Sequence, residues 1–429
     1  MSAPEVTPAV ISVHQTELLV FFTLLQLTII VLAGRVGGEV ARRFAQSAAV
    51  GEIIIGILLG PSLFGAVAPD VFHFVFHSVP SEPMQVLSQI GLILLMFQIG
   101  LEFNFSHLTE RRHRKTVIRV AAASLFLPFA IGLALGYYSA PILSPQANPI
   151  AAALFIATAF SITALPILGR ILIELNLANT SLGVIAISAA AINDVIGWLL
   201  LALVTTIATA NFDGGEFSLR VFAVALFFAA SWFVIRPIMK KIVSHSGPRD
   251  GKLSNNLLGI LIAAVFLSGM TTYQLGIFAI FGGFMMGVIL HDEHELVTAW
   301  RERIGHFVNV FFLPIFFTYT GLRTNIGGLD EMSLWVWCGV TVLLATIGKF
   351  GGAYAAARWS GLNHYEGKVL GIMMNTRALM ELIVINIGYD LGVISQNMFT
   401  ILVIMAIVST VVTTPCLRRW WPHTGTRTS

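Results

Sequence analysis

Charge is what this chain most lacks. Asp, Glu, Lys and Arg make up 11% of its 429 residues, against 56% hydrophobic, and the mean hydropathy is +0.83. Soluble globular domains carry roughly 25% charged residues, so the composition argues against a water-soluble enzyme. Cysteine is nearly absent too. Cys338 and Cys416 both sit in apolar stretches, where a small buried thiol is an ordinary filler, and two thiols make no disulfide scaffold. There is no phosphate-binding loop, no nucleotide fingerprint and no nucleophile–base set at an informative spacing. None of the eleven histidines lies mid-run, which argues against haem held between membrane helices. The net charge of +3 would suggest nucleic acid for a soluble protein. Here the placement of the charges matters more, and no nucleic-acid partner is expected.

What abounds is long apolar runs. Crossing a bilayer as a helix takes about 20 mostly apolar residues. Runs of that kind centre near Leu24, Ile55, Leu94, Phe126, Ala157, Ala190, Ala225, Ala263, Phe284, Phe316, Val342, Glu381 and Met405. They predict an all-α polytopic membrane protein of about thirteen spans, each of roughly 21 residues, with short loops and no room for a separate soluble domain. A closed barrel would show alternating ten-residue segments instead. The first run follows Glu17 and precedes Arg35. It lacks the basic front and small-residue cleavage site of a signal peptide, so it reads as a retained helix.

Orientation follows from Lys and Arg in alternate loops. One side receives Arg35, Arg42, Arg43, Arg111, Arg112, Arg114, Lys115 and Arg170. The same side receives Arg236, Lys240, Lys241, Arg249, Lys252, Arg301, Arg303, Arg358, Lys368, Arg418, Arg419 and Arg427. The other side has only Arg220 and Arg323, while Arg119, Lys349 and Arg377 fall within or beside spans. The expectation is a multi-pass protein of the cell membrane with its N-terminus outside and its C-terminus cytoplasmic.

An odd number of spans allows two six-helix halves of opposite orientation around a linker, the inverted-repeat plan of secondary transporters. Span two holds Gly56-Ile57-Leu58-Leu59-Gly60 and span nine Gly283-Phe284-Met285-Met286-Gly287. Span three ends Gly100-Leu101-Glu102 and span ten Gly321-Leu322-Arg323. The echoes keep the same order in both halves, which makes span seven the linker.

A charge at mid-membrane costs at least about 2.5–3.5 kcal/mol, so each one is a functional candidate. Asp194 stands in the middle of an apolar run, after Asn193. Its structural alternative is a buried carboxylate neutralised by a partner or a proton. Lys349, between Gly348 and Gly351, either lies deep and faces Asp194 or snorkels to the cytoplasmic surface. Span five contains Ser161-Ile162-Thr163-Ala164-Leu165-Pro166, and span twelve Asn375-Thr376-Arg377-Ala378-Leu379-Met380-Glu381. A shift of 214 positions lays Ser161 on Asn375 and Thr163 on Arg377. Pro166 predicts an interrupted helix, and paired interruptions at matching positions point to a transporter's binding site, where unwound carbonyls can meet a hard cation. Two merely kinked helices are the plainer reading. Arg377 and Glu381, four apart, either pair with each other or tune the site. Glu52 and Glu102 lie near span ends, where solvated mouths are expected.

The block from Thr163 to Leu172, Asn193-Asp194, Gly348-Lys349 and the block from Asn375 to Val384 together resemble the monovalent cation:proton antiporters. The branch is similar to the plant cation/H+ exchangers and the bacterial Kef- and NapA-type proteins, over nearly the whole chain. The resemblance implies crossed broken helices at spans five and twelve, an ion-binding aspartate at Asp194, a membrane lysine at Lys349 and the polar break at Thr163. It also implies a division into parts. Residues 1–104 and 251–326 would form a dimerisation domain, and residues 105–212 and 327–429 a sliding core domain. Residues 213–250 would form the linker helix. There are two departures. Electrogenic members carry Asp-Asp where this chain has Asn193-Asp194, and Kef-type members continue into a nucleotide-binding domain that does not follow the last span here.

The functional expectation is a secondary antiporter exchanging Na+ or K+ for H+, not an enzyme. Its partners would be lipid and a second copy of itself, and it would use no cofactor beyond the transported ions. Asp194 would hold the proton or the metal ion in turn. Asn193 would orient that carboxylate without adding a charge, and Ser161 and Thr163 would offer oxygens. Rival readings are an organic-anion or bile-acid-type sodium symporter on the same fold, a cation channel, and a membrane enzyme.

Overall fold

In hydrocarbon a backbone N–H or C=O finds no water, so an apolar run must close its hydrogen bonds within itself as a helix. The computed structural model describes residues 13–44, 46–102, 114–178, 180–209, 214–246, 253–275, 278–377 and 379–423. Among these residues every expected span centre, from Leu24 to Met405, falls inside a helix. The first half contains α1 (Val13–Arg43), α2 (Ala48–Leu58), α3 (Glu82–Leu101), α4 (Arg114–Leu143), α5 (Pro149–Ser161), α6 (Leu165–Glu174) and α7 (Ser181–Thr209). Next come α8 (Gly214–Ala230) and α9 (Arg236–Ser246), joined through a wider turn at Ser231–Ile235. The second half contains α10 (Asn255–Gln274), α11 (Ala279–Val288), α12 (Leu313–Arg323), α13 (Met332–Trp359), α14 (His364–Met374), α15 (Leu379–Asp390) and α16 (Gln396–Trp420).

Among the described residues eight helical rods are long and apolar enough to cross a membrane unaided. Spans ten and twelve are bent pairs, by 44° and 41°. Spans two and nine depart from the expected uniform length, because α2 has 11 residues and α11 has 10. At 1.5 Å per residue each rises only about 15 Å, half the hydrocarbon thickness. Gly60-Pro61 ends the first of them. Such short helices survive where protein covers their ends, and the cover is visible. A Cβ on Gly60 would stand 2.1 Å from Gly321 O, and one on Gly287 would stand 2.2 Å from Phe97 O. Span two therefore lies against span ten, and span three against span nine. Exchanging the two halves turns one contact into the other, which is the internal symmetry that the sequence echoes imply.

Two groups of helices pack mainly within themselves. One is α1, α2, α3, α10, α11 and α12; the other is α4 to α7 with α13 to α16. In the second group α13 meets α4 through glycine, since a Cβ on Gly352 would sit 2.5 Å from Ala123 O. Helix α9 is tied to the first group, with Arg236 and Lys240 both on Asp292 at 2.8 and 2.5 Å. Glu52 corrects an expectation. It is 4% exposed, not in a solvated mouth, because α1 and α2 approach through Gly37 and Gly51, where a Cβ would meet backbone at 2.0 Å. Glu102 does lie at the end of its span, 3.0 Å from Arg301.

Candidate functional site

Span five breaks between Ser161 and Leu165, with Ile162 extended at φ −73°, ψ 143°. A proline cannot continue an old helix but suits the first turn of a new one. Pro166 accordingly stands second in α6, and its side chain lies outside the described residues. Span twelve breaks between Met374 and Leu379. The two breaks meet. Ala164 N donates to Thr376 O at 3.0 Å, and Thr163 Oγ1 donates to Met374 O at 3.5 Å. Behind them, α16 contributes hydroxyls: Arg377 N donates to Thr410 Oγ1, and Thr376 Oγ1 to Thr413 Oγ1, both at 3.4 Å.

Four half-helix ends at one place leave carbonyls free on α5 and α14 and amides free on α6 and α15. Charged side chains answer the ends. Lys349 Nζ donates to Ser161 O, at the C-terminal end of α5. Arg377 Nη1 donates to Ala159 O in the last turn of α5 at 3.2 Å, and Nη2 to Ala345 O at 3.0 Å. Glu381 lies in the first turn of α15 and is paired to Arg377 at 3.4 Å, both side chains fully buried. Lys349 is likewise fully buried, so it does not snorkel. A glycine on either flank lets α4 pack over it.

Asp194 is 1% exposed, and among the described residues neither of its oxygens accepts a full hydrogen bond. The Lys349 ammonium acts on it through space, and the Leu165 amide faces it as a donor at a geometry that closes no full hydrogen bond. The intramembrane ion pair expected between Asp194 and Lys349 is thus open, with the lysine committed to the Ser161 carbonyl. Asn193 does not orient Asp194. Its Nδ2 donates to Ser124 Oγ at 2.9 Å, and its Oδ1 is buried without a partner. The reason is geometric, since adjacent helical residues do not face each other. The Ser161 hydroxyl is also turned away, donating to Ala157 O at 2.8 Å and Leu125 O at 3.2 Å.

Three residues of this arrangement were not singled out from sequence. Ser124 carries no signal, being one hydroxyl in a 30-residue helix of the kind that usually bonds its own backbone. Thr410 and Thr413 did have one. They belong to a crowd of hydroxyls, Ser409, Thr410, Thr413 and Thr414, all buried. Among the described residues no group of three or more His, Cys, Asp or Glu could hold a resident metal. The oxygens beside the crossing on which a bare cation could draw are a single carboxylate and unwound carbonyls, a hard-oxygen set.

Lys349 gives a first prediction. Removing it strips a fully buried carbonyl of its donor, a cost of about 1–3 kcal/mol. Lys349→Ala should therefore melt several degrees lower in detergent and change the pH profile of any exchange. A melting temperature and a pH profile both unchanged within error would take Lys349 out of the site.

Crossed broken helices within an inverted repeat, with an unpartnered carboxylate buried beside the crossing, define a secondary active carrier. The family model described as "Sodium/hydrogen exchanger, transmembrane" matches residues 27–421, and the chain belongs to that family. It is 39% identical over 398 residues to the Na(+)/H(+) antiporter NhaS4 of Synechocystis sp., covering 92% of this chain and 96% of that one. To Cation/H(+) antiporter 18 of Arabidopsis thaliana it is 34% identical over 91% of its own length, spanning about half (48%) of that protein. Its fold matches the sodium proton antiporter MjNhaP1 of Methanocaldococcus jannaschii with a TM-score of 0.63 at 14% identity, over 95% of this chain and 98% of that one.

Proposed function

We propose that this protein exchanges a monovalent cation, Na+ or K+, for H+ across the cell membrane by alternating access. The observation that carries the reading is Asp194. It is a carboxylate shielded from water, with no full hydrogen bond to either oxygen among the described residues, at the crossing of two interrupted helices. An unpaired charge in that position is costly, so it demands either a proton or a cation, and the two compete for one group. Asn193 Oδ1 and the carbonyls of the breaks at Thr163 and Asn375 are the further oxygens within this reading. Lys349 and Arg377 hold the broken ends in place, and Arg377 with Glu381 locks α15 to α5. The helices that bear the site, α4 to α7 and α13 to α16, move as the core. The other group stays fixed and forms the homodimer, with α8 and α9 as the linker. The asymmetry of Lys and Arg supports a cytoplasmic C-terminus. The organic-anion reading loses its anchor, since Arg377 is engaged with Glu381 and two carbonyls. Proton flux in everted vesicles tests the function. NaCl, KCl or LiCl should each be tried, and at least one should release the proton gradient while taurocholate does not. A response to taurocholate alone would overturn the proposal.

Stoichiometry follows from Asn193. Electrogenic exchange needs more than one proton-binding group per cation, and at this position the site offers an amide. One H+ for one cation moves no net charge. In proteoliposomes, exchange should therefore ignore an imposed potential, although a single charge moved across 100 mV would be worth about 2.3 kcal/mol. Rates that change with the sign of the potential would refute electroneutrality, and Lys349 would be the group to test as the second proton carrier.

A further inference from the structure

At the end of α12 the two helix groups are joined by a polar cluster built around one arginine. Arg323 belongs to the group proposed to stay fixed, and Asp390, Asn386 and Gln396, which it meets, belong to the group that bears the site. Its Nη1 lies 2.5 Å from Asp390 Oδ1 and 3.4 Å from Asn386 Oδ1, both on α15. Its guanidinium stacks 4.3 Å from the Tyr319 ring, and Nη2 donates to the Tyr319 hydroxyl. Its carbonyl accepts from Gln396 at the start of α16. A second bond crosses beside it, from Asn386 Nδ2 to Thr320 Oγ1 at 2.9 Å. The loop after Arg323 is pinned within its own group, with Ser62 Oγ donating to Thr324 O at 2.7 Å. One end of the latch is thus rigid.

Behind the latch lies a cleft between the two groups. Ser88, Leu92 and Tyr319 line it on one side, and Ile383, Asn386 and Asp390 on the other. It holds about 10 Å³, no more than one water needs, so no hydrated ion passes. From Asp390 at its mouth to Ile383 the wall is α15, seven residues or about 10 Å of helix. Ile383 is one turn from Leu379, where α15 leaves the crossing. The cleft therefore points from the membrane face opposite the basic loops toward the site. We infer that Arg323 and Asp390 form the outer gate, a pair that ties the moving helices to the fixed ones and must part for the site to open outward. Arg323 is 19% exposed and Asp390 27%, so salt screens the pair less than a fully exposed one. The Arg323–Asn386 contact and the crossing amide from Asn386 to Thr320 part together with the pair, while the Tyr319 contact, on Arg323's own helix, stays with the arginine.

The inference rests on the proposed sliding of the two groups, and accessibility tests it without relying on transport. Ser88→Cys is placed in a background of Cys338→Ala and Cys416→Ala and labelled with a membrane-impermeant maleimide from the outer side of proteoliposomes. Arg323→Gln and Asp390→Asn should each raise the labelling rate by roughly five- to tenfold, the lower range of couplings between two conformations. Arg323→Lys, which keeps the charge but loses the planar fork, should fall between. If Arg323→Gln does not fold by gel filtration, Asp390→Asn carries the test alone. Labelling within twofold of the parent in the folded variants would overturn the gate, as would a rise seen only from the side of the C-terminal tail. Absence of cation-driven proton flux in the parent would instead count against the exchange function and leave the accessibility result standing.

Discussion

Asp194→Asn should reduce exchange to background while the protein still folds. Among the described residues the Asp194 oxygens close no full hydrogen bond, and an amide oxygen there can still face the Leu165 N–H, so the substitution takes little from the scaffold that the carboxylate was giving. The substitution removes a group that binds a proton and a cation by turns and leaves one that binds neither with charge. Burying an unpaired carboxylate costs several kcal/mol, so the melting temperature of Asp194→Asn should hold or rise. Loss of activity together with gain or retention of stability separates a transport residue from a structural one. Proton flux in everted vesicles and thermal melting of the same preparation check both halves. Full exchange by a well-folded Asp194→Asn protein would sink the mechanism.

The helices could be read from sequence because the bilayer leaves an apolar run of 20 residues little alternative. Span centres and the matching breaks at Ser161–Pro166 and Asn375–Glu381 followed from that constraint and from one proline. Short spans two and nine did not follow. Their length is set by the Gly60–Gly321 and Phe97–Gly287 contacts, which are tertiary and leave only a weak glycine echo in each half. Side-chain partners were the least legible layer. Asn193 next to Asp194 in sequence suggested cooperation, yet a helix turns neighbours about 100° apart, and the amide reaches Ser124 instead. Lys349 was foreseen as a partner for Asp194. It spends its proton donors at the broken end of α5, a demand that exists only once that helix is interrupted. Glu52 looked solvated because no sequence rule reports how closely α1 and α2 approach.

The same demand of broken ends makes Arg377 the residue whose loss should destabilise the fold most. Its pairing with Glu381 is loose, with one contact at 3.4 Å and Arg377 Nε and Glu381 Oε2 left without partners. A bidentate pair would be shorter and stronger. Its bonds to Ala159 O and Ala345 O, at 3.2 and 3.0 Å, fasten the last turn of α5 to the break of span twelve and to α13. Arg377→Ala should therefore cost about 3–5 kcal/mol, because it strands a buried carboxylate, frees the Ala159 carbonyl at the end of α5 and removes the tie to the Ala345 carbonyl of α13. Glu381→Gln leaves Arg377 without its counter-charge, but the guanidinium keeps both carbonyl bonds and an amide oxygen still faces it, so the cost should be smaller, nearer 1–2 kcal/mol. Replacing both residues by methionine removes the stranded carboxylate but not the orphaned Ala159 carbonyl, which places the double variant between the two. Arg377→Lys should not restore stability, since one ammonium cannot span two carbonyls and a carboxylate as a planar fork does. Melting in detergent should thus rank the variants Arg377→Ala lowest, then the double methionine, then Glu381→Gln, with the first down on the order of 10 °C. Equal losses for Arg377→Ala and Glu381→Gln would mean that the ion pair, and not the broken helix end, is what Arg377 serves.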